Sequence, residues 1–216
     1  MTALPVDAES LPALSLWQPW ASLVATRPWS PDAGWADRPA KWIETRSWRA
    51  PSWLVGQRFA IAAAARIPTL GSVGEWTVVR EHRPYHGHGF VMYRSTTAPG
   101  DLFHSEQTVA LPLGAVLLTA VLDACVPMVE AGPATPEEAE LTRGSGAVVL
   151  AADGGSAAYY RPGIESDEVS VDVSDQLPLG DFAPGRFGWV LGEVEVLDEP
   201  DPFSGGQRLT KRWTPR

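Results

Sequence analysis

The sequence predicts a mostly β fold with short flanking helices, of the α+β class, and three observations lead there. Twenty glycines and 20 prolines are spread over 216 residues, which suits short strands joined by turns better than long helices. Several apolar runs have strand length and β-branched content, among them QRFAIAAA (57–64), GAVLLTAVLDACV (114–126), whose periodicity would also permit a helix, and FGWVLGEVEVL (187–197). Hydrophobic residues make up 44% and charged residues 20%, enough apolar surface to bury a core and far from the composition of a disordered chain.

The elements follow in order. Residues 1–10 form a loose N-terminus, LPALSLW (11–17) reads as a strand, and Pro19 stands where a helix WASLVAT (20–26) would begin. Residues 27–40 hold three prolines and a glycine and read as an inserted loop. KWIETRSW (41–48) is expected to be a strand. LGSVGEWTVVREH (70–82) reads as a helix and 83–108, rich in Gly, His, Ser and Pro, as a loop, so 66–110 forms a second insertion. TPEEAEL (135–141) carries a capping-box pair, Thr135 with Glu138, and predicts a short helix. EVSVDVS (168–174) alternates as a half-exposed strand. The length fits one domain over 11–216.

Composition also bounds function. The single cysteine, Cys125, cannot form an internal disulfide, which points to a reducing compartment. The N-terminus lacks the basic and apolar regions of a signal peptide, and the apolar runs fall short of a membrane span, so a cytoplasmic protein with no membrane partner is expected. Net charge is -9, but residues 27–66 carry seven basic side chains against three acidic ones. An anionic ligand would dock there, and the overall acidity argues for a short strand or single nucleotide over a long duplex. Phosphate-loop, nucleophile-elbow, paired-cysteine and dinucleotide patterns are missing. His82, His86 and His88 lie among Pro and Gly with no ligand set to complete a metal site, so neither a metal nor another cofactor is expected.

The functional surface is expected between Trp17 and Trp53, where seven of the ten tryptophans fall. Indole rings beside cations can stack bases, although most tryptophans serve as core or loop anchors. In a regular strand Trp42, Glu44, Arg46 and Trp48 share one face, placing a carboxylate and a guanidinium between two indoles. Lys41 is one of only two lysines against 15 arginines, and an amine, unlike a guanidinium, can lose its proton on burial. A solvated lysine at a strand end is the plainer alternative.

Three blocks make the chain resemble the ASCH family of PUA-like β-barrels: ALSLWQPWASLVA (13–25), KWIETRSW with GQRFAIAAAA (41–65), and LPLGDFAPGRFGWVLGEVEVLDEP (177–200). LPLGAVLLTAVLDACVP (111–127) agrees with them. The resemblance implies a small barrel with a cleft, roofed by the first helix, that holds a Gly-x-Lys-x-x-Glu-x-Arg motif. Lys41, Glu44 and Arg46 match it, and Pro39 replaces the glycine. Similar bacterial proteins read IHAAK in the next strand where this chain has Ile61 followed by Ala62, Ala63, Ala64 and Ala65, which removes a histidine and a lysine.

The implied function is binding of single-stranded RNA or a modified nucleoside, with Trp17, Gln18, Trp20, Lys41, Trp42, Glu44, Arg46 and Trp48 as ligand-binding residues. One alternative is a hydrolase, an amidohydrolase on acylated cytidine or a ribonuclease, with Lys41 as general base and Glu44 orienting it. Another is a protein-interaction domain using the acidic stretch 165–201.

Overall fold

The computed structural model describes residues 10–25, 29–30, 34–35, 39–66, 76–82, 89–95, 108–130, 146–150, 156–161, 169–206 and 209–215. In chain order the elements are β1 (Leu11–Leu16), α1 (Trp20–Ala25), β2 (Trp29–Ser30), β3 (Gly34–Trp35), β4 (Ile43–Arg46), β5 (Arg58–Ala63), β6 (Trp76–His82) and β7 (Gly89–Ser95). There follow β8 (Thr108–Leu113), β9 (Ala115–Glu130), β10 (Ala147–Leu150), β11 (Ala157–Arg161), β12 (Val169–Asp172), β13 (Phe187–Pro202) and β14 (Lys211–Trp213). Two 3-10 turns, Ser52–Leu54 and Ser174–Leu179, complete the described set. The chain is therefore mostly β with few short helices.

Residue contacts divide the chain into two units. The first comprises Met1–Ala40, Arg58–Ala120 and Glu193–Arg216, and the second Lys41–Gln57 and Val121–Gly192, so the long strands β9 and β13 each contribute to both. In the first unit β1 pairs β5 in parallel and β14 antiparallel. Small side chains explain the close packing there: Ala13, Ala60, Ala62 and Val116 bury against Trp213. α1 begins where the Pro19 carbonyl accepts the Leu23 N–H at 3.1 Å.

The helix expected over 70–82 is corrected in its described part: 76–82 is the strand β6, paired antiparallel with β7, which in turn pairs with β8, while 70–75 lie outside the described residues. The reason is tertiary. Trp76, Thr77, Val78 and Val79 are strand formers locally, and a matching run, Phe90 to Tyr93, lies within pairing distance downstream. The loop expected over 83–108 is corrected by the same pairing, since it contains β7, and His82 ends β6 opposite Phe90. His86, His88 and the helix expected over 135–141 lie outside the described residues.

In the second unit β9 pairs β10 in parallel, β10 pairs β11 and β11 pairs β12, both antiparallel, and β4 pairs the start of β13 antiparallel. Val126 and Met128 of β9, Val148 and Leu150 of β10, Tyr159 of β11 and Val190 of β13 form its apolar core with Trp42 and Ile43. Among the described residues the strand pairing in neither unit closes into a ring. No described helix is long and apolar enough to cross a membrane.

Among the described residues β4 pairs with β13 alone, and side chains and loop backbone meet its other edge. The Oε1 of Gln176, a fully buried residue in the second 3-10 turn, accepts the N–H groups of Trp42 at 3.0 Å and Ile43 at 3.3 Å. The Asp181 N–H donates to Thr45 Oγ1 at 3.0 Å. Gly180 makes that approach feasible, because a Cβ there would meet Thr45 Cγ2 at 2.8 Å. An orphaned buried N–H costs about 1 to 3 kcal/mol, so Gln176→Ala should lower stability by roughly 2 to 4 kcal/mol. Denaturant titration should show a lower midpoint with an unchanged slope.

Candidate functional site

The register of β4 against β13 sorts the site into two faces. Val190 lies opposite Ile43, Trp189 opposite Glu44, Gly188 opposite Thr45 and Phe187 opposite Arg46. Residues directly opposite in an antiparallel pair project from the same face. Ile43 and Val190 therefore enter the apolar core, while Glu44, Arg46, Phe187 and Trp189 share the other side. The expected alternation thus holds for Glu44 and Arg46. Trp42, one residue before the strand, instead packs in the apolar core beside Ile43.

Lys41, Glu44 and Arg46 are brought together as a chain of charges. Lys41 Nζ lies 3.2 Å from Glu44 Oε2, and Arg46 Nε lies 3.1 Å from Glu44 Oε1. The ammonium also donates to the carbonyls of Ile43 at 3.0 Å and Leu179 at 2.7 Å. Its side chain is only 1% exposed, that of Glu44 10% and that of Arg46 24%, so the chain of charges runs from the interior to the surface. The solvated strand-end lysine is thereby excluded. Burial pushes the Lys41 amine below its ordinary range, while the Glu44 carboxylate opposes that fall.

Trp48 packs edge-on against Trp189, with ring centroids 4.8 Å apart and planes at 83°. Such a pair contributes about 0.5 to 1.5 kcal/mol beyond its buried area. Trp189 is fully buried, whereas Trp48 and Phe187 are half-buried.

The remaining expected residues belong to the first unit. Gln18 is buried and ties α1 down: its Oε1 accepts the Ser22 N–H at 3.2 Å, and its Nε2 donates to Ser22 Oγ at 2.9 Å and to the Pro112 carbonyl at 2.8 Å. Trp20 is half-buried in α1. Trp17 is 46% exposed, with the Arg66 guanidinium carbon 6.0 Å from its ring centroid, a cation-π distance.

Sequence reasoning missed four participants: Gln176, Leu179, Phe187 and Trp189. Phe187 and Trp189 could have been found from their two-residue spacing in FGWV, which places both rings on one strand face. Gln176 and Leu179 carry no such signal, since they act through a turn that only the fold brings to β4. Among the described residues no cluster of His, Cys, Asp or Glu could hold a metal ion. Comparison with protein-family models finds no match, and comparison with curated proteins finds none either.

The Lys41 environment carries a pH signature. The folded state releases this proton at lower pH than the unfolded chain, so between the lowered value and 10.5 the unfolded chain holds more protons. Stability should rise with pH across that window, and Lys41→Met should abolish the rise. The same variant leaves the Leu179 carbonyl without its ammonium donor and Glu44 with one cation fewer, at a cost of roughly 2 to 4 kcal/mol near neutrality. Equilibrium unfolding of both proteins as a function of pH checks the sign and the size.

Proposed function

We propose that the protein binds single-stranded RNA or a modified nucleoside through the face of β4 that carries Glu44 and Arg46, as its resemblance to ASCH proteins implies. The finer form of the fold belongs to the same proposal: a PUA-like barrel with a cleft. The observation that carries the functional reading is the chain of charges itself. A buried ammonium fixes Glu44, Glu44 fixes Arg46, and Arg46 reaches the surface at 24% exposure. Burying ions costs several kcal/mol per group before their attraction offsets it, and an apolar pair of similar volume would often stabilise the fold as well or better. A guanidinium oriented by a carboxylate suits recognition, because its planar fork presents donors in fixed directions to a base edge or phosphate.

Hydrolysis with Lys41 as general base is a second reading, and the lowered Lys41 pKa favours it. Against it stands the hydrogen bonding of Nζ. Two carbonyls and a carboxylate surround the nitrogen, which matches the three donors of an ammonium. A neutral amine has only two protons and would leave one acceptor unserved. Turnover of an acylated nucleoside or an oligonucleotide by the wild type, lost in a folded Lys41→Arg variant, would reverse this ranking.

Titration of tryptophan fluorescence with short oligoribonucleotides and a panel of modified nucleosides tests the binding reading. Quenching by at least one of them is expected, and Arg46→Ala should weaken it about tenfold or more in a variant that still folds, with some loss of melting temperature because Glu44 keeps only Lys41 as its cation. The logarithm of affinity should fall with that of salt at a slope no steeper than about -2, because few phosphates are met.

A further inference from the structure

We propose that the ligand is held at this site by its base rather than by its backbone, and that Phe187 supplies the stacking ring. This rests on the binding reading above and deepens it by naming what is recognised. Phe187 stands directly opposite Arg46 across the β4–β13 ladder, on the face that carries Glu44 and Trp189. Cross-strand neighbours have Cβ atoms about 4.5 to 5.5 Å apart, so the phenyl ring and the arginine stem are adjacent.

Along this face the burial changes in one direction. Trp189 and Glu44 are buried, whereas Phe187, Arg46 and Trp48 are half-buried, so the more accessible residues here are two aromatics and one arginine. Trp48 meets Trp189 edge-on, and Phe187 is the ring that the β4–β13 register sets directly opposite Arg46.

Charge counting points the same way. Lys41, Glu44 and Arg46 sum to one positive charge, and the nearby Arg186 is occupied by Asp181 at 3.0 Å. One net charge is too little to track a phosphate backbone, which takes a positively charged groove. A flat heteroaromatic ring meets what the site offers. Its face stacks on the phenyl ring, and its acceptors face the Arg46 fork.

The test compares a short labelled oligoribonucleotide with the same strand carrying abasic residues, followed by fluorescence anisotropy on the wild type, Phe187→Leu and Phe187→Tyr. Leucine keeps the apolar bulk and loses the ring; tyrosine keeps the ring. The wild type should bind the base-bearing strand at least tenfold more tightly than the abasic one. Phe187→Leu should lose roughly 5- to 100-fold on the base-bearing strand and nothing on the abasic strand, while Phe187→Tyr stays within about threefold of the wild type. A merely structural phenylalanine would lower both affinities together. Equal wild-type affinity for the two strands, or a Phe187→Leu variant that binds like the wild type, overturns this inference and leaves the binding function standing. Failure of every strand and nucleoside to bind overturns the binding function and this inference with it.

Discussion

The burial of one ammonium organises the second unit around β4. Lys41 reaches back over its own strand to the Ile43 carbonyl, across to the Leu179 carbonyl and sideways to the Glu44 carboxylate. Each of these acceptors would be costly to leave without a donor in the interior, so the strand, the turn that covers it and the acidic side chain are held in one arrangement. An arginine would bring more donors and more volume to a place where two carbonyls and a carboxylate meet a compact ammonium. The chain writes arginine almost everywhere else, and this geometry gives a physical reason for its departure here.

The covered edge of β4 follows from the same constraint. An unpaired strand edge inside a protein must find partners for its amides, and here Gln176 Oε1 accepts two of them. The 3-10 turn and Gly180 bring the backbone close enough for Leu179 and Asp181 to meet Lys41 and Thr45. Polar side chains thus replace a neighbouring strand, and β4 keeps one face for the apolar core and the other for charge.

The tryptophans divide according to what their neighbours allow. Among the described residues Trp42 and Trp189 are buried, Trp48 leans edge-on against Trp189, and Trp17 and Trp53 are exposed at 46% and 57%. A dense cluster in sequence therefore became anchors, a supporting pair and surface rings. Clustering in sequence reports only that the segment is aromatic; the pairing register decides which ring faces what.

The sequence by itself determined the strands β1, β5 and β13, favoured a strand at β9 where the periodicity also permits a helix, and singled out Lys41, Glu44 and Arg46 as a set. Two-residue spacing on a strand is a local rule, and Glu44 and Arg46 obey it. It could not decide segments with equal local claims to helix and strand, such as 76–82, because the deciding partner lies further along the chain. Nor could it show that Lys41 is buried, that Gln176 and Leu179 complete its surroundings, or that Phe187 stands opposite Arg46. Those depend on contacts across more than 130 residues of separation, and only tertiary packing fixes which backbone carbonyls meet an ammonium.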